Sequence, residues 1–201
     1  SKGFRNPSIM ELFLFAPNPN LRPERLWNYE LGATYHSLNR RLKAEVAVFI
    51  IDGDNVIQVV PPPPPPAMRQ NVGSFSNRGI EAKLNWMLTS NFSLQTNYSF
   101  IDTDQPRLAV PEHQFFVEGS YRLRNFRANL SARHISGLYI RTGQDALQES
   151  FNLVNLMLSY RLNRHFEVFA SGKNLLDQQY SINLGYPMPG RHYFSGINFK
   201  F

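Results

Sequence analysis

Apolar and polar residues alternate one by one along most of this chain, a period of two that sends successive side chains to opposite faces of an extended strand and that no helix can satisfy. Trp27, Tyr29, Leu31, Ala33 and Tyr35 are set against Asn28, Glu30, Gly32 and Thr34. Leu42, Ala44, Val46, Val48 and Ile50 are set against Lys43 and Glu45. The same alternation returns in 80–88, 92–100, 115–123, 126–133, 154–162, 166–173 and 193–201. The pattern predicts an all-β fold of about nine complete antiparallel strands, preceded by a stub at residues 1–4.

The connections alternate in length. Short turns are read at 37–40, 89–91, 124–125 and 163–164, and long loops at 5–25, 52–77, 102–112, 142–150 and 178–191. In an up-and-down sheet this places every long loop at one end. A soluble sandwich or lipocalin also alternates, but its apolar face is interior, and nothing requires aromatics at both ends of that face. A transmembrane β-barrel requires both features: lipid against the apolar face, aromatic girdles at the two interfaces, a polar lumen and long external loops. The mean hydropathy of −0.35 then follows from half of every strand facing water.

Composition excludes several classes. With 18% charged and 13% aromatic residues the chain is not a disordered one. Its lack of cysteine excludes a disulfide framework, a thiolate metal site and a cysteine nucleophile. The net charge of +6 does not imply nucleic acid, because the basic residues are spread along one face of many strands instead of forming a patch. That face carries Glu30, Lys43, Glu45, Glu81, Lys83, Glu118, Arg122, Arg127, Arg133, Arg161, Glu167 and Lys173, both signs mixed as in a water-filled wall. Leu158→Arg is expected to impair barrel assembly and Ser159→Arg to be tolerated.

Candidate chemistry is sparse. In the loop 185–191, Tyr186 and Met188 offer apolar handles and Arg191 an anion clamp for a ligand; the alternative, which we prefer, is that its glycines and prolines fix the loop and Arg191 starts the last strand. Asp52, Asp54, Asp102 and Asp104 could hold a hard cation, but no twelve-residue calcium loop is present and solvated turns are preferred. His36, His113, His134, His165 and His192 lack metal-ligand spacing. No metal, cofactor or catalytic residue is assigned, and no nucleophile elbow is present. Pro61 to Pro66 must form an extended rod outside the sheet, read as a stiff spacer in an outer loop.

Three stretches resemble the TonB-dependent outer-membrane receptors. They are 1–8 with Glu11-Leu12, then 18–24 and 27–32; Asn77-Arg-Gly-Ile-Glu81; and Lys173-Asn-Leu-Leu-Asp177 with Tyr180, 185–191 and the terminal Phe201. The last strand, with Tyr193, Ile197, Phe199 and Phe201 on one face, is also similar to the terminal signature read by the barrel-assembly machinery. The resemblance implies the C-terminal part of a 22-stranded barrel in the outer membrane of a Gram-negative bacterium. The plug domain, TonB box, signal peptide and earlier strands would lie outside this segment. It further implies active uptake of an iron-siderophore, haem or cobalamin, no enzymatic activity, and four partners: outer-membrane lipid, the TonB complex through the plug, the assembly machinery and a small-molecule metal complex or cofactor. A passive porin and, less favoured, an outer-membrane barrel hydrolase are the alternatives.

Overall fold

The computed structural model describes residues 1–60 and 68–200, so the Pro61–Pro66 spacer and Phe201 lie outside the described residues. Among the described residues, fourteen strands and one short helix follow in the order β1 (Lys2–Arg5), α1 (Ile9–Phe13), β2 (Glu24–His36), β3 (Leu42–Asp54), β4 (Ile57–Val60), β5 (Met68–Asn71), β6 (Ser74–Met87), β7 (Phe92–Thr103), β8 (His113–Leu123), β9 (Phe126–Arg141), β10 (Leu147–Arg161), β11 (Phe166–Lys173), β12 (Ser181–Asn183), β13 (Tyr186–Pro187) and β14 (His192–Phe199). Ten of them form one sheet in the order β1-β2-β3-β6-β7-β8-β9-β10-β11-β14. Neighbours in that sheet follow chain order except where two separate hairpins, β4–β5 and β12–β13, are inserted. The stub and nine longer strands expected from the alternation are therefore present, and the fold is all-β.

The short turns close on side chains. The Leu42 N–H donates to Ser37 Oγ (3.0 Å) and the Arg41 N–H to Asn39 Oδ1 (3.1 Å). Thr89 Oγ1 accepts from the N–H groups of Asn91 and Phe92, and Asn163 Oδ1 from those of His165 and Phe166. These are the local bonds by which Ser, Thr and Asn favour turns over strands.

Register shows which residues share a face. Val117 stands opposite Thr96 and Ala132, Leu158 opposite Ala128 and Ala170, and Ile197 opposite Val168. On the other face Gln95 meets Glu118, Ser120 meets Asn129, and Arg161 meets Glu167. Exposure inverts the rule for soluble proteins: Leu31 (74%), Leu130 (54%) and Ile197 (68%) are open, whereas Asn77 (6%), Ser159 (6%) and Asn174 (4%) are buried. A sheet with an open apolar face and a polar face turned away is built for lipid on one side and water on the other. No helix among the described residues is long and apolar enough to cross a membrane, which says nothing about strands.

Two expectations change. The inward face is not uniformly polar: Phe116 lies opposite Arg133, Met157 opposite Asn129 and Ser171, and Phe169 opposite Ser159 and Gly196. Ser159 itself is buried between Arg127 and Phe169 on its neighbouring strands. An arginine there would be overpacked beside an existing guanidinium, so Ser159→Arg is expected to destabilise, where the alternation alone suggested tolerance.

The chain divides into two compact units. One comprises Ser1–Leu31, Val48–Gly79 and Asp102–Gln105; the other comprises Gly32–Ala47, Ile80–Ile101 and Pro106–Phe201. The second holds the main buried apolar cluster, Ile135, Leu138, Ile140 and Phe151, with Leu153 and Tyr180 packed against it.

Candidate functional site

In the first unit, the connection from β1 to β2 is held by a charged staple. Ser8 caps α1: its hydroxyl accepts from the Glu11 N–H while the Glu11 carboxylate accepts from the Ser8 N–H (2.8 Å), a reciprocal capping box. Arg5 bridges Glu11 (3.0 Å) and Glu24 (2.6 Å). Glu24 also accepts from the Ile57 N–H (2.8 Å), which ties in the β4–β5 hairpin. Hydrogen bonds from Arg5 and the Ser8 backbone hold the Glu11 carboxyl down at about 2, and those from Arg5 and the Ile57 backbone hold Glu24 below its usual range. Asn71 donates to the carbonyls of Arg22 (2.9 Å) and Asn55 (2.7 Å), and the Arg69 side chain donates to the carbonyls of Leu14 and Phe15.

The aspartates considered for a hard cation are engaged by protein groups. Asp52 Oδ1 accepts from Ser76 Oγ (2.7 Å), Asp104 from the Ser76 N–H (2.8 Å), and Asp102 pairs with Arg78 (2.8 Å). Among the described residues no group of three or more metal-ligating side chains comes together.

In the second unit, the β11–β14 connection folds through a clasp centred on Asn174. Its Nδ2 donates to the carbonyls of Gln178 (2.9 Å) and Pro189 (3.2 Å), and its Oδ1 accepts from the Gln178 N–H (2.9 Å). Asp177 accepts from the Arg191 N–H (2.8 Å) and lies 3.9 Å from the Arg191 guanidinium. A Cβ at Gly190 would stand 2.9 Å from Asp177 Oδ1, so a side chain there would push that carboxylate aside. Above the apolar cluster, the rings of Phe151 and Tyr180 are 4.3 Å apart, the Leu184 N–H donates to the Ile140 carbonyl, and the Ser181 N–H donates to Glu149 (2.7 Å). Phe151 and Ile135 are register partners on the inward face, so the β12–β13 connection lies over that face.

Of the candidate ligand residues, Tyr186 is 74% exposed at the start of β13, Met188 is half-buried with its N–H on the Tyr180 carbonyl, and Arg191 is bound into the Asp177 clasp. Tyr193 and Ile197 share the outward face with Phe166, Val168 and Gly172, and the Phe166 and Phe199 rings lie 4.9 Å apart. Among the histidines, His113 Nδ1 meets the Tyr98 hydroxyl (2.9 Å), His134 Nδ1 meets Asn152 Oδ1 (2.8 Å), and His192 Nδ1 meets the Gly190 carbonyl (2.9 Å). The Arg5 staple was not singled out from sequence, although Ser8 followed three residues later by Glu11 spells a capping box. Asn174 lay within a recognised motif but gave no sign of its bonding.

The model of the TonB-dependent receptor-like β-barrel family matches residues 1–175. The chain belongs to that family. It is 28% identical over 171 residues to the ferric-pyoverdine BN7/BN8 receptor of Pseudomonas putida, covering 81% of this chain and 21% of that protein. It is 26% identical over 237 residues to the iron-regulated outer membrane virulence protein of Vibrio cholerae, covering 100% of this chain and 36% of that one. The chain thus spans between about a fifth and a third of the curated relatives it matches. Among solved structures, the copper transporter OprC aligns with a TM-score of 0.80 at 19% identity over 100% of this chain and 36% of its own. The closed form of the ferric-catecholate import receptor Fiu of E. coli aligns at 0.75 and 20% over 93% and 29%. At these identities the structural likeness establishes the fold. The family and the open apolar face together make this an outer-membrane β-barrel segment.

Proposed function

We propose that this chain is the C-terminal part of the barrel wall of a TonB-dependent receptor that takes up an iron complex, of the siderophore class, across the outer membrane. The observation that carries the reading is the inverted sheet, apolar side open and polar side turned inward, in a chain whose family model covers residues 1–175. Relatives named as ferric-pyoverdine and iron-regulated outer-membrane receptors support iron over haem or cobalamin. On this reading the loops at 5–25, 52–77, 102–112, 142–150 and 178–191 are extracellular. Tyr186 and Met188 contribute apolar contacts to the ligand vestibule, and Arg191, steadied by Asp177, offers it a positive charge. TonB acts through a plug supplied by the rest of the receptor, and the outward residues Tyr193, Ile197 and Phe199 of the last strand, with Phe201 after them in the sequence, are the signal read by the assembly machinery. The segment carries out no reaction itself.

The test is growth of a deletion strain, complemented with the full-length gene, on ferric siderophores, haem or cobalamin as the limiting nutrient. Growth rescued on a ferric siderophore and abolished without TonB supports import. Rescue that persists without TonB would make the barrel a passive porin and sink the proposal.

A further inference from the structure

Where the turn between β6 and β7 meets β8 and β9 lies a cleft of about 430 Å³ whose polar lining includes Thr89, Ser93, Ser120, Arg122, Arg127 and Asn129, beside the apolar Met87 and Phe92. Arg122 and Arg127 are direct cross-strand partners, so their guanidinium groups leave neighbouring strands on the same face. Like charges placed this way repel. Arg127 Nε is buried without an acceptor, and Asn129 Oδ1, two positions along the strand, is buried without a donor. The register supplies no neutralising acid: Arg127 faces Ser159 on β10, and Ser93 faces Ser120 on the β7 side. Glu118, on the same face, takes the Ser120 hydroxyl (3.4 Å) and stands opposite Ser131. A buried donor with nothing to bond is costly, more so in a charged group, and the cost disappears when an anionic acceptor arrives.

We propose that this cleft is an oxyanion site, holding a carboxylate or phosphate group between Arg122 and Arg127. The planar guanidinium fork fits two oxygens of such a group. The hydroxyl of Ser93 adds a donor, and Asn129 Oδ1 accepts an O–H or N–H carried beside the anion. Two sources offer this chemistry: a small free anion, or an acidic side chain of a segment lodged inside the barrel. The proposal rests on the barrel reading for the facing of the wall, but its readout is anion binding and not transport, so the two fail separately.

The experiment uses the purified full-length receptor in detergent, with thermal unfolding followed against inorganic phosphate at constant ionic strength and amide exchange of the interior recorded in parallel. Arg122→Gln, Arg127→Gln and, as a control arginine that packs on Phe116, Arg133→Gln are compared. Phosphate stabilisation that weakens about tenfold or more in Arg122→Gln and Arg127→Gln but not in Arg133→Gln supports a free anion. No response to phosphate, with about tenfold faster exchange of an acidic interior segment in the same two variants, supports a protein carboxylate. Should Arg127→Gln fail to fold, Arg122→Gln, whose side chain is exposed, carries both readouts. Neither response, or one that Arg133→Gln removes equally, overturns the proposal.

Discussion

Val117→Arg and Gln95→Arg place the same side chain on opposite faces of adjoining strands, near mid-strand in both. Val117 shares its outward face with Phe115, Gly119 and Tyr121, and its register partners are Thr96 and Ala132. An arginine there enters hydrocarbon at mid-depth and costs about 2–4 kcal/mol. Gln95 is exposed on the inward face directly opposite Glu118, so an arginine there meets water and a carboxylate at the separation of a cross-strand pair. Its effect should lie within about ±0.5 kcal/mol. The difference of about 3 kcal/mol corresponds to roughly a hundredfold in the folded-to-unfolded ratio. Urea unfolding of the full-length receptor refolded into vesicles, with the folded fraction read from heat-modifiable gel mobility, resolves that easily. Equal losses, or a larger loss for Gln95→Arg, would refute the facing derived from register and exposure.

Leu158→Arg should lose stability on the lipid face, and Ser159→Arg should lose about 1–3 kcal/mol on the other by overpacking against Phe169 and repelling Arg127, while Ser159→Ala stays near neutral in the same unfolding assay. Asn174→Ala removes two donated bonds and one accepted bond, so proteolytic nicking within 174–190 should accelerate by about tenfold or more. The Arg5 staple should loosen in acid. Glu11 and Glu24 have depressed carboxyls, so their contribution is complete above the ordinary carboxylate range and fades as the pH falls toward about 2. The half-exposed arginine limits this to about 1 kcal/mol, and Glu11→Gln should flatten the acid-side rise in amide exchange of residues 8–15.

Strand number, order and facing were legible because a period of two survives any environment: the side chains of Thr96, Val117, Ala132 and Val154 must share a face once the strands pair antiparallel. The connections were not. Residues 5–25 and 52–77 read as loops because α1 and the β4–β5 hairpin are too short to impose a period, and what fixes them is long-range bonding such as Glu24 to Ile57 and Asn71 to Arg22. Tyr186, Met188 and Arg191 were grouped as candidates only because they share one short loop. In the fold Tyr186 is left exposed and Arg191 lies beside Asp177.

The apolar intrusions on the inward face follow the same division. Phe169 covers Gly196, where a Cβ would stand 2.8 Å from the ring, and Phe151 with Ile135 is covered by Tyr180 and the β12–β13 connection. Phe151 and Ile135 are thus shielded by the chain itself. Arg122 and Arg127 share that face and have no such shield. The alternation that reveals the wall treats Phe169 and Arg127 alike as interruptions or members of a polar row, and only the pairing around them separates a side chain that completes the wall from one that awaits a partner.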